Sequence, residues 1–98
     1  GKMKLKPEET ILTGRWLFDD GVNRGDLACE RIEWLTKNEL QRLANSPKWG
    51  DWEILFIDPT DGRYWELTYP QGEMHGGGPP QLQVLSHSEA RKKYPLDH

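Results

Sequence analysis

Between Trp52 and Tyr69 the sequence leaves the backbone little choice. Trp52-Glu-Ile-Leu-Phe-Ile57 is rich in aromatic and β-branched residues, which favour a strand. Arg63 to Tyr69 alternates, so that Trp65, Leu67 and Tyr69 share one face. Between the two runs, Asp58-Pro-Thr-Asp-Gly62 places Pro where φ must be near −65° and Gly where a left-handed residue is wanted. The stretch predicts a β-hairpin, and the remaining chain must supply what covers it.

Upstream, Ile11 to Phe18 reads as β-type and is closed by Asp19-Asp20-Gly21, a hairpin signal that makes Val22 to Arg24 a short return strand. From Asp26 to Asn45 the spacing predicts one long helix. Ala28, Cys29, Ile32, Leu35, Leu40 and Leu43 fall on one arc, with Glu30, Glu33, Lys37 and Gln41 opposite. Asp26 suits the N-cap. Leu27 and Trp34 lie off the arc and Glu39 lies within it, and Thr36-x-x-Glu39 offers a rival break with 27–35 as a strand. Pro47 ends the segment. Pro70 ends the second hairpin strand, 71–80 form a glycine loop, and Gln81 to Leu85 alternate as a last strand. Ser86 or Ser88 can cap a short helix through Lys93, and the lysine-rich residues 1–10 are expected to lie loosely against the surface. The expected fold is α+β: a small, mainly antiparallel sheet with one long helix packed on one face and room for a short C-terminal helix. Residues 1–98 are expected to be a single domain.

A chain of 98 residues builds a modest core, and its five Trp, three Tyr and two Phe bring bulky material to it. Thirteen basic against sixteen acidic residues leave a net charge of −3. That balance gives no electrostatic case for binding nucleic acid directly. Cys29 is the single cysteine, so no internal disulfide forms. No apolar run approaches a membrane span. These features predict a cytoplasmic protein without membrane contact.

Glu73-Met-His-Gly-Gly-Gly-Pro-Pro80 is the strongest local anomaly. An oxyanion hole of the lipase type needs a Gly-x-Ser-x-Gly elbow, which is absent. A phosphate cradle needs Gly-Lys-Ser/Thr, whereas Pro79 and Pro80 follow and contribute no amide donors. Histidines at 75, 87 and 98 and the lone Cys29 do not have metal-ligand spacing, and Asp58 to Gly62 lacks the alternation of a calcium loop. No metal or other cofactor is expected. Acid–base chemistry could draw on His75 with Glu73 or Glu66, which gives the alternative reading: a small enzyme or ligand-binding domain near the glycine loop. Cys29 lies on the apolar arc, where a core thiol is the ordinary outcome.

The block from Arg63 to Pro80 resembles the immunity protein 27 family, small bacterial proteins of polymorphic toxin systems. Thr13-Gly-Arg-Trp16, Arg31-Ile-Glu-Trp-Leu35, Trp52-Glu53, and Asp58-Pro-x-Asp-Gly-Arg63 leading into Trp65-Glu-Leu67 extend the likeness over most of residues 10–85. The family pattern carries a serine where this chain has Gly72. The resemblance implies a non-enzymatic inhibitor that binds a cognate toxin in the cytoplasm of the producing cell, as in contact-dependent inhibition. An acidic inhibitor suits a basic toxin such as a nuclease. The surface expected to meet it comprises Asp61 at the hairpin tip and Glu73, Met74 and His75 in the glycine loop. The polar helix face around Glu30, Glu33 and Trp34 comes next.

Overall fold

The computed structural model describes residues 4–19, 21–70 and 78–96. Among these residues seven strands and two helices follow in the order β1 (Ile11–Thr13), β2 (Trp16–Asp19), β3 (Val22–Gly25), α1 (Leu27–Asn38), β4 (Gln41–Ser46), β5 (Gly50–Ile57), β6 (Tyr64–Thr68), β7 (Gln81–Leu85) and α2 (His87–Lys93). The main sheet has the order β1-β7-β6-β5-β4, and β2 and β3 form a separate ribbon. Every pairing is antiparallel. This is the expected α+β fold, with the short C-terminal helix present.

The hairpin forms as its turn chemistry requires. Asp58 accepts a hydrogen bond from the Thr60 amide at 2.9 Å, the Gly62 amide donates to the Asp58 carbonyl at 2.7 Å, and Gly62 adopts φ +76°. Alternation along β6 then divides the core. Trp65 and Leu67 join Ile54, Phe56 and Leu82 beneath Ile32 and Leu35 of α1. Tyr64, with Leu55, packs on the opposite face against Ala90 and Tyr94 of the α2 segment. Two helices therefore cover two faces of one sheet.

Two expectations need correction. The helix from Asp26 stops at Asn38, not Asn45, and residues 41–46 are the edge strand β4. Its N-cap is Asp26, which accepts from the Cys29 amide at 2.9 Å. At the other end, Thr36 and Asn38 turn their side chains back onto backbone carbonyls, a bond pattern that competes with helix continuation. The amides of both Glu39 and Leu40 close on the Leu35 carbonyl. Leu40 is buried just after the helix, while Leu43 falls at a bulge in β4 and is 39% exposed. The second correction concerns Ile11 to Phe18, which is not one strand. The chain breaks at Gly14 and Arg15, and β1 and β2 enter different sheets.

Before β1 the chain is fastened at Glu9. Its carboxylate receives two bonds from the Arg31 guanidinium, at 2.7 and 2.6 Å, while Arg63 donates to the Glu9 carbonyl at 2.6 Å. The Arg31 hydrogen bonds hold the Glu9 carboxyl down at about 2, against partial burial that works the other way. A depressed carboxyl contributes stability that is present above its unfolded value near 4.5 and lost as pH falls toward 2. Urea midpoints measured across that window should fall, and Glu9→Gln should flatten that fall. Equal slopes for both proteins would remove Glu9 from the account.

Candidate functional site

A cleft of about 440 Å³ opens where α1, the β2–β3 ribbon and the Tyr69 end of β6 meet. Helical periodicity brings Glu30, Glu33 and Thr36 to its rim from one wall, with Cys29 and Ile32 deeper on the same wall. The ribbon supplies Trp16, Arg24 and Gly25, and the sheet supplies Leu67 and Tyr69. Gly78 and Pro80 close the remaining side.

A compact set of contacts holds the start of the ribbon to α1 and to the residue before β7. The Asp26 amide donates to the Arg15 carbonyl and the Gly14 amide donates to the Pro80 carbonyl, both at 2.9 Å. The Cys29 thiol donates to the Arg15 carbonyl at 3.5 Å. Burial pushes this thiol above its ordinary value, and a hydrogen bond with the Asp26 carboxylate acts in the same direction. A raised, engaged thiol is a poor nucleophile. Among the described residues the lining holds no histidine.

Two exposed aromatic side chains neighbour lining residues in the fold, Trp52 against Tyr69 and Phe18 along β2 from Trp16. Trp52 is 56% exposed and meets Tyr69 edge to face, with ring centroids 5.2 Å apart. Phe18, two positions beyond Trp16 on the same side of β2, is 81% exposed. The cleft thus combines aromatic surface with the carboxylates of Glu30 and Glu33. Glu33 pairs with Lys37 at 2.7 Å, which lowers its carboxyl, but both side chains are about two-thirds exposed and such a pair is weak.

The other expected site residues are distributed differently. Trp34 is half-buried against the core under α1, as is Leu5 of the N-terminal segment. Asp61 sits at the hairpin tip, separated from the cleft by the five residues of β6, roughly 17 Å of strand. Its carboxylate accepts from both the amide and the Nε of Arg63, at 3.0 and 2.7 Å. Burial raises the Asp61 carboxyl, but these bonds outweigh it and the net shift is downward. Glu73, Met74 and His75 lie outside the described residues.

Glu66 belongs to neither the cleft nor its rim. Alternation opposite Trp65 and Leu67 turns it to the α2 face, where it is 8% exposed. There Tyr94 donates to it at 2.7 Å and the Lys93 ammonium lies 2.7 Å away, shared with Glu53 at 2.9 Å. Burial lowers the Lys93 ammonium, but the hydrogen bonds it donates to Glu66 and Glu53 more than compensate and its net shift is upward. Burial and the Glu66 bond push the Tyr94 phenol strongly upward. This network fastens α2 to the sheet and leaves Glu66 engaged. Among the described residues, no three His, Cys, Asp or Glu side chains gather to hold a metal. No described helix is long and apolar enough to cross a membrane.

Sequence reasoning did not single out Trp16, Thr36 or Tyr69 as lining. Tyr69 had a usable signal in its alternation with Trp65 and Leu67. Trp16 and Thr36 had none, because their places depend on how the ribbon docks on α1. A family model described as immunity protein 27 matches residues 18–86 of the 98-residue chain. No curated protein and no solved structure matches it.

Proposed function

Because the chain belongs to the immunity protein 27 family, we propose that it works by binding a cognate toxin in the cytoplasm, without catalysis of its own. Family membership implies the toxin-neutralising role. The cleft between α1 and the ribbon is the part of that reading supported by geometry. The half-buried rings of Trp16 and Tyr69 and the residues Glu30 and Glu33 line it, and aromatic anchors dominate the energetics of many protein interfaces. The chain's net charge of −3 suits a basic toxin, such as a nuclease. Glu73, Met74 and His75, from the glycine-rich stretch of the sequence, remain part of the proposed footprint. Asp61 is a more remote contributor, since Arg63 already engages its carboxylate.

Co-expression with the toxin domain encoded beside it should restore growth, and the two chains should co-purify. Trp52→Ala should weaken the complex by about 2 kcal/mol or more, on the scale of an interface hot spot. Trp49→Ala is the control: Trp49 is 53% exposed but lies with Lys93 on the α2 side. Equal effects of the two substitutions, measured by calorimetry, would move the interface off the cleft.

A further inference from the structure

We infer that the cleft is a socket for a single arginine side chain presented by the toxin. This rests on the toxin-binding reading and specifies what that site accepts. The volume of about 440 Å³ lies within the roughly 300–1,000 Å³ range of small-ligand sites. It therefore has room for one long side chain inserted from a larger partner.

The lining chemistry then selects the inserted group. Glu30 and Glu33 stand three residues apart on one helical face, so their stems are neighbours, roughly 5–6 Å apart at Cβ. Inserting an anion would set it against both carboxylates. Inserting a purely apolar side chain would strip water from those carboxylates and return no hydrogen bond, which is costly. A cation offsets that loss. Thr36 adds no competing donor to the cleft, because its hydroxyl already donates to the Ile32 carbonyl at 3.0 Å.

Arginine fits better than lysine. Its planar guanidinium stacks on aromatic surface, presents donors in a fork and gives up water more readily than an ammonium. Trp16 and Tyr69 supply aromatic surface on two walls, and the two glutamates supply acceptors on a third. The chain's own Arg24 lies on the ribbon wall of the lining, so an incoming guanidinium is directed to the opposite wall, where α1 carries Glu30 and Glu33. The Glu33–Lys37 pair is exposed enough to exchange partners.

The test needs no toxin in its first arm. Isotope-labelled protein is titrated with N-acetyl-arginine methylamide, and in parallel with its neutral isostere built on citrulline. Saturable shifts are expected at the Trp16 indole and at amides of α1 facing the cleft, with the citrulline compound inactive. Glu30→Lys combined with Glu33→Gln should weaken arginine binding by about tenfold or more, while distant resonances show the fold intact. Equal response to citrulline, or shifts centred away from the cleft, would overturn the socket.

In the second arm the wild-type and doubly substituted proteins are mixed with the neighbouring toxin. Unchanged affinity for the substituted protein sinks the socket but leaves toxin binding standing. Failure of the wild-type protein to bind that toxin sinks the toxin reading, and the arginine titration still decides the socket.

Discussion

Trp65→Ala is expected to cost about 3–5 kcal/mol of stability, the range for emptying a buried large aromatic site. Trp65 is fully buried, in the centre of the sheet between β5 and β7, and packs in the cluster beneath Ile32 and Leu35. Neighbours on two strands and a helix cannot all collapse into the space that its loss would leave. Among the described residues its indole N–H has no acceptor, and the Arg63 guanidinium lies 4.9 Å from the ring centroid. An unmade bond at a buried donor is itself unfavourable. Trp65→Phe should therefore cost much less than the alanine change, since it removes that donor and keeps most of the apolar surface. Urea midpoints for the two variants test both statements. A cost below about 1 kcal/mol for Trp65→Ala would mean that the site collapses or that the ring is not buried.

How much of this was legible follows from the range of the interactions involved. The β5–β6 hairpin, the Asp26 cap, the Ser86 cap and the facing of Trp65 and Leu67 all depend on residues close in sequence. Those features could be read directly. The reading failed where a distant partner overrode local preference. Gln41-Arg-Leu-Ala-Asn-Ser46 contains good helix formers and no β-branched residue, yet β5 draws it into an antiparallel pairing. The bulge at Leu43 then breaks the alternation that would have marked a strand.

The candidate site was legible in part for the same reason. Glu30 and Glu33 could be placed together on one surface because a polar helix face repeats every three to four residues. Trp34 was ambiguous because exposure off the apolar arc depends on what else covers the helix, and here it rests against the core. Asp61 looked free because its sequence neighbours define a turn, but the same turn brings Arg63 onto its carboxylate. Glu66 could have been separated from the cleft by alternation alone, since it faces opposite to Leu67 and Tyr69.

The last expected result concerns the joint that holds the cleft open. Cys29 sits between two glycines, and each of them occupies a position where a side chain has no room. A Cβ on Gly25 would lie 2.6 Å from the Cys29 Cβ. One on Gly14 would lie 2.5 Å from the Cys29 Sγ and 2.9 Å from the Pro80 carbonyl oxygen. Gly25→Ala and Gly14→Ala should each cost about 1–3 kcal/mol, as overpacking does. A second substitution separates their causes. Cys29→Ala removes Sγ and keeps Cβ, so it should relieve part of the Gly14→Ala penalty but only the smaller share of the Gly25→Ala penalty that comes from Sγ at 3.1 Å, leaving the 2.6 Å clash with Cβ. Because the Gly25 clash is with an atom fixed to the α1 backbone, the ribbon itself must move, carrying Trp16 away from Glu30 and Glu33. Gly25→Ala should therefore weaken toxin binding even at temperatures where the variant remains folded, and Cys29→Ala should not restore it. If Cys29→Ala rescues both glycine variants equally, the ribbon docks through the thiol alone and the geometry of this joint is different.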